Sequence, residues 1–238
     1  KFLKKETSKA DSYSTDECAQ LLTAFEGHWL KPIVIVAMQT GMRLGELLAL
    51  HWRHIDFEQK TLTIEGSITS TKERGTFVKD TKTEAGERVI SLSDFTCETL
   101  RKVRTAQNER NLQIRYSADD VVVFDSWPLK NAPGQYLQTK EVSHTFGRAM
   151  SRFLKQKKIT RRLHFHDLRH THLSLLLLNG KTVTTVAQGA GHKTAHPTFT
   201  TYAHAISGEQ TAMVERMDDN YLRAAKNFVT YHVTHLDP

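Results

Sequence analysis

Cysteine is scarce in these 238 residues: Cys18 and Cys97 are the only two. One pair cannot form the disulfide framework of a small secreted domain, so a reducing compartment, the cytoplasm, is expected. Long apolar runs are missing as well. The longest candidate block, Leu173 to Leu178, is far too short to span a bilayer. The basic N-terminus is followed by no apolar stretch, so no secretory signal is expected there. No HExxH string and no cluster of acidic residues occurs, and internal repeats and low-complexity tracts are absent.

What is present is positive charge. Lys and Arg number 33 against 26 Asp and Glu, giving +7 and a pI near 9.4. Thirteen histidines add to this below neutral pH. Such a balance favours a polyanionic partner, with nucleic acid first. Apolar content of 39% and charged content of 25% fit a globular protein of one large domain, or one domain with an appendage. Beginning at Lys1 without methionine, the chain reads as a fragment.

The densest chemistry lies in His164-Phe165-His166-Asp167-Leu168-Arg169-His170-Thr171-His172. Asp167 is a good helix N-cap, which would put His166 at the helix mouth and Arg169 one turn in. A guanidinium and an imidazole at a helix N-terminus suit a phosphate. A zinc site is the rival reading, but no cysteine is near and no recognised ligand spacing appears. His164 and His172 read as packing or surface residues.

Along the chain, residues 1–12 are polar and lysine-rich, a linker or the remnant of a preceding domain. Ser14 or Thr15 caps a helix with Leu21, Leu22 and Phe25 inward, closed by Gly27. A second helix from Lys31, apolar nearly all round, belongs in the core and ends at Gly41. Arg43 follows, before a short helix from Gly45 to Leu50. It reads either as a salt bridge to Glu46 or as a phosphate clamp with Glu46 behind it. Residues 61–65 and 76–79 alternate as strands around a hairpin turn at 72–75. A third strand, 88–92, follows a turn at 84–86. Lys79, Lys82 and Arg88 decorate that region, where exposed cations are usually solvated.

Asp94 caps a helix reaching about Gln113, and Val121 to Phe124 form a buried strand-like segment. Residues 127–138 are a loop. Thr139 starts a helix whose inner stripe is Val142, Phe146, Met150 and Phe153-Leu154. A basic cluster, Lys155 to Lys158 with Arg161-Arg162, reads as helix-end cations or as phosphate contacts. Thr182 to Ala190 make a short helix. Gly191-His192 and the segment from Pro197 to His204, with Tyr202, come next. Ser207 caps a further helix through Met217, and Tyr221, Ala225 and Phe228 give the tail an apolar face.

Five strings in this order resemble the catalytic domain of the tyrosine recombinases, the phage-integrase family. They are Thr40-Gly41-Met42-Arg43-Leu44-Gly45-Glu46-Leu47, Thr81-Lys82-Thr83, His166-Asp167-Leu168-Arg169-His170-Thr171, Gly191-His192 and Thr201-Tyr202-Ala203-His204. The resemblance runs from about Ser12 to Met217 and implies an α+β, mainly helical domain with a small antiparallel three-stranded sheet at one edge. The expected organisation is 1–12 linker, 13–217 catalytic domain and 218–238 tail, the tail docking on a neighbouring protomer.

By the same resemblance, Tyr202 is the nucleophile that joins a DNA 3′-phosphate, and Arg43 and Arg169 hold its non-bridging oxygens. Lys82 protonates the departing 5′-oxygen, His166 assists proton transfer, and His192 bonds or orients the phosphate. No cofactor or metal is implied. The implied partners are double-stranded attachment sites, a homotetramer on DNA (a monomer in isolation), and accessory bending or directionality factors, with no membrane. The implied activity is site-specific integration or excision of a mobile element.

Two features depart from the family pattern. Ala190, with Gly189 in front, stands where relatives carry a larger apolar residue, which predicts a loosened helix beside His192. The DNA-gripping N-terminal domain is missing, which predicts weak DNA binding by this piece. The alternatives are a type IB topoisomerase, a non-catalytic DNA-binding module and, more distantly, a zinc protein.

Overall fold

The computed structural model describes residues 12–71, 75–80, 87–118, 120–130, 132–192 and 194–202. Helix α1 (Thr15–Ala24) starts with a capping box. The Ser14 hydroxyl accepts the Glu17 amide at 3.2 Å, and the Ser14 amide donates to Glu17 Oε2 at 2.8 Å. The helix stops at Ala24, and the chain turns through Gly27 before α2 (Lys31–Thr40).

Ile33, Val34, Ile35, Val36 and Ala37 of α2 are all buried, as a helix apolar on every side requires. It ends on Gly41 in the left-handed region, φ 63°. The next helix, α3, is Leu44–Leu48, with Arg43 at its N-cap. Around α2 pack α1, α3, α4 (Asp94–Gln113) and α7 (Asp167–Leu178). Phe25 of the core lies parallel to Phe146 at 5.6 Å and edge-on to Phe153 at 5.0 Å. Each such pair adds about 0.5–1.5 kcal/mol beyond area burial.

Among the described residues the β region holds five strands: β1 (Ile55–Asp56), β2 (Thr61–Ile64), β3 (Gly66–Thr71), β4 (Gly75–Asp80) and β5 (Arg88–Ser91). They form an antiparallel three-stranded sheet in the order β1-β2-β5 and a two-stranded sheet β3-β4. Leu62 and Ile64 alternate inward on β2, opposite Ile90 and Arg88. The expected pairing of 61–65 with 76–79 is thereby corrected: β4 pairs with β3, Ile68 opposite Val78. Among Ser67, Thr69, Ser70 and Thr71, Ile68 is the one large apolar residue, so the intervening strand has almost no period-2 signal. β3 lies against α3, and Gly45 permits this: a Cβ there would sit 2.5 Å from Ser67 Oγ.

Smaller corrections have equally local causes. Ser93, not Asp94, caps α4, its hydroxyl accepting the Thr96 amide. One helical turn, α5 (Trp127–Lys130), interrupts the expected loop. In α6 (Thr139–Lys155) Leu154 is 41% exposed, because it sits about 100° beyond Phe153 and leaves the buried stripe. Asp167 does not cap α7 but is its first residue, and its Oδ2 accepts the upstream His164 amide at 2.6 Å. Arg161 leaves the basic cluster to pair with Glu17 and to lie over the Tyr13 ring. Helix α8 (Val183–Gly189) follows, capped by Thr182, and residues 196–202 are again helical. The turns at 72–74 and 84–86, Lys82, the helix expected from Ser207 and the tail lie outside the described residues.

Candidate active site

Helix α8 ends in three successive carbonyls, and each receives an arginine. Gly189 O accepts from Arg88 Nε at 2.9 Å, Ala190 O from Arg169 Nη2 at 2.6 Å, and Gly191 O from Arg43 Nη2 at 3.5 Å. A helix C-terminus carries unsatisfied carbonyls and partial negative charge, so it gathers cations. In this way α8 draws together side chains from the start of α3, from β5 and from the first turn of α7.

Each arginine is held a second time. Arg169 is 4% exposed, and its Nη1 donates to Gly41 O at 2.5 Å. Arg43 bonds Glu46 twice: its amide reaches Oε2 and its Nη1 reaches Oε1, both at 2.9 Å. Arg88 Nη2 reaches Glu46 Oε2 at 2.8 Å. Burial works to raise the Glu46 carboxyl, yet the Arg88 and Arg43 contacts outweigh it and hold it below its ordinary range. The two readings of Arg43 therefore coexist: it is paired with Glu46, and its side chain is still 42% exposed.

His192 completes this wall. Arg169 Nη2 lies 3.2 Å from His192 Nε2, and His192 Nδ1 lies 2.7 Å from Thr198 Oγ1. A guanidinium only donates, so Nε2 is the acceptor and Nδ1–H points to the threonine. Burial and the charges of Arg169, Arg43 and Arg88 lower its pKa to about 4, so the ring is neutral at pH 7. Arg169 itself is lowered by burial and by Arg43 to about 10 and stays charged.

Tyr202 is 1% exposed, packed with Leu173, Leu177, Val186 and Ala190. Its hydroxyl meets His170 Nδ1 at 2.5 Å. Burial raises this phenol to about 12, against the pull of Arg169. His166 sits exposed at the mouth of α7, edge-on to His170 at 4.9 Å. His164 is exposed, while His172 turns inward, its Nδ1 donating to Met38 O at 3.0 Å. Among the described residues, no three His, Cys, Asp or Glu side chains are placed to hold a metal ion.

The model of the phage integrase family matches residues 12–208. The chain belongs to the phage integrase family. It is 30% identical to a XerC-like tyrosine recombinase of Caldanaerobacter subterraneus, over 90% of this chain and 56% of that protein. It is 31% identical to the ICEBs1 integrase of Bacillus subtilis, over 79% of this chain and 48% of that one. It thus spans about half the length of these curated relatives. Among solved structures, the Tn1549 transposon integrase in complex with transposon right end DNA superposes with a TM-score of 0.74 at 19% identity. That match covers 91% of this chain and 69% of the other. The XerA recombinase gives 0.62 at 20% identity, covering 87% and 65%.

In this phage-integrase domain Arg43 stands at the start of α3, His166 and Arg169 at the start of α7, and His192 and Tyr202 in the segment after α8. Lys82, the sixth expected residue, lies outside the described residues. Two residues were not singled out from sequence. Arg88 reads in sequence as one more cation near a lysine-rich turn, and its pairing with Glu46, 42 residues away, has no local signal. His170 lay inside the quoted string, one helical turn from His166, and that spacing was its only signal.

Proposed function

We propose that this chain is the catalytic domain of a site-specific DNA recombinase that cuts and rejoins strands through a 3′-phosphotyrosyl link on Tyr202. The observation that carries this is the meeting of Arg43 and Arg169 on successive carbonyls, with a neutral imidazole beside them and a buried phenol on the next helix. Attack on a phosphodiester puts added negative charge on the equatorial oxygens, and fixed guanidinium donors stabilise it. In this reading Arg43 and Arg169 hold the non-bridging oxygens and Lys82 gives its proton to the leaving 5′-oxygen. His166 serves proton transfer at the mouth of α7. His192 positions Arg169 in the free protein; a phosphate anion beside it favours its charged form, able to donate. The covalent link conserves the bond energy, so rejoining needs no nucleotide.

The outer side of α6 supports a duplex partner. Lys130, Arg148, Arg152, Lys155 and Arg162 rim an open groove there, with His144 and His164 among them. Lysine and arginine along one groove suit the phosphate backbone, whose grip weakens as salt rises. In the whole protein the activity would integrate or excise a mobile element, as a homotetramer on its attachment sites with accessory bending or directionality factors. Residues 1–12 would be a linker, 13–217 the catalytic domain, and 218–238 a tail that docks on a neighbouring protomer.

The test is incubation with a nicked duplex spanning the element–chromosome junction. The wild-type chain should become covalently joined to DNA at Tyr202, and Tyr202→Phe should bind equally but form no link. A link in the Tyr202→Phe variant removes the proposal, and relaxation of plasmid lacking any junction would favour a topoisomerase.

A further inference from the structure

The phenol of Tyr202 must lose a proton before it can attack, and the group in hydrogen-bond contact with it is His170, not His166. The Nδ1-to-hydroxyl distance is 2.5 Å, with ring centroids 5.7 Å apart. His166, four residues earlier at the N-cap of α7, meets the His170 ring edge-on, 4.9 Å between ring centres. Three rings therefore run in series from the exposed helix mouth to the buried hydroxyl. We propose that His170 is the catalytic base for Tyr202, with His166 exchanging the proton between His170 and the outside. This rests on the reading of Tyr202 as nucleophile and names the group that activates it.

The step balances without a further reactant. The Oη–H bond of Tyr202 breaks and the proton passes to His170 Nδ1. The freed oxygen pair forms the bond to phosphorus as the P–O5′ bond breaks, and the 5′-oxygen leaves with a proton from the acid. Rejoining runs the same transfers backwards, His170 returning the proton to the phenolate. Acceptance requires a neutral ring carrying its proton on Nε2. Burial, His166 and Arg169 keep His170 below its ordinary range, while Asp167 pulls the other way. Those three charged or titratable neighbours come from α7 and its N-cap, and Tyr202 faces His170 from the helical segment 196–202.

A purely structural hydrogen bond is distinguished by His170→Asn, whose amide oxygen can stand near the Nδ1 position and accept the hydroxyl but cannot take its proton. Single-turnover cleavage of the nicked junction duplex would be followed from pH 6 to 9, beside DNA affinity and thermal melting. His170→Asn should melt and bind like the wild type and cleave ~10²-fold slower or worse. Its rate should climb with pH across the range, where the wild type levels off. A His170→Ala chain should recover cleavage when imidazole is added, which covers the case in which asparagine disturbs folding. Cleavage by His170→Asn within about threefold of wild type, at an unchanged pH profile, overturns the assignment. So does an alanine chain that folds, binds and gains nothing from imidazole. A covalent link formed by Tyr202→Phe instead overturns the nucleophile reading beneath it, so the two failures are told apart.

Discussion

Arg88 Nη2 lies 2.8 Å from Glu46 Oε2, and the carboxylate it meets is 4% exposed. Glu46 is thus a buried anion shared by two arginines: Arg43 of the proposed phosphate clamp and Arg88 of β5. Removing one partner of a buried pair leaves a charge without adequate compensation, at about 3–5 kcal/mol. Arg88→Met should lower unfolding stability by that order in urea denaturation, although Arg88 lies outside the proposed catalytic set. Arg88→Lys should recover part of it, since an ammonium reaches the carboxylate but not Gly189 O at the same time. A methionine variant as stable as the parent would show that Arg43 alone suffices for Glu46.

Gly41 is held by two requirements at once. Its φ of 63° is left-handed, and a Cβ there would lie 2.4 Å from His172 Cδ2. The backbone penalty for a side chain is about 1–2 kcal/mol and overpacking adds about 1–3 kcal/mol. Gly41→Ala should therefore melt clearly lower than the parent. Because Gly41 O also anchors Arg169, cleavage of the junction duplex should fall more than the loss of folded protein explains. An alanine chain with parental stability would mean that the turn relaxes freely.

The helices were largely legible, because their signals are local. The Ser14…Glu17 spacing, the all-apolar α2, Gly41 as a stop and the α6 stripe each depend on residues within two turns of one another. What could not be read either lacks a local pattern or depends on long-range contact. Ile68 alone marks β3 as a strand, so its pairing with β4 has no alternation to announce it although Thr71 stands opposite Gly75, four residues on. Arg88 gains its role from Glu46, 42 residues earlier, and His170 from Tyr202, 32 residues later. The five strings that carry the resemblance located the proposed chemistry, but not which imidazole faces the phenol.

Two partly buried histidines predict acid sensitivity. His172 and His192 are each lowered to about 4, burial being the larger cause, against 6.5 when unfolded. A depressed histidine keeps the folded state neutral, so its stability is fully present above pH 6.5 and declines as pH falls towards 4. Over that window His172, the more deeply set of the two, contributes a slope of at most about 1.4 kcal/mol per pH unit, and solvent screening leaves the more exposed His192 well below that. His172→Gln should flatten the curve of unfolding free energy against pH by up to one proton's worth. An unchanged slope would place the His172 titration at its ordinary value and remove the prediction.

Gly189 and Ala190 bear on whether the end of α8 is loosened beside His192. Ala190 is 1% exposed against Leu173, Leu177, Val186 and Tyr202, so the small side chain leaves room for the phenol. A leucine at 190 would press on that cluster at about 1–3 kcal/mol. Gly189 differs: it is the last residue of α8, and a Cβ there meets nothing within 4 Å. Alanine at such a helical site restricts the unfolded chain without a clash and should stabilise by about 0.5–1 kcal/mol. For a domain of this size that is a rise of about 1–4 °C in melting temperature. The Gly189 carbonyl still receives Arg88 in that variant, so junction-DNA affinity should be unchanged. A lower melting temperature for Gly189→Ala would show that α8 needs its glycine, and a stabilised chain that cleaves more slowly would show that the proposed chemistry draws on movement at the end of this helix.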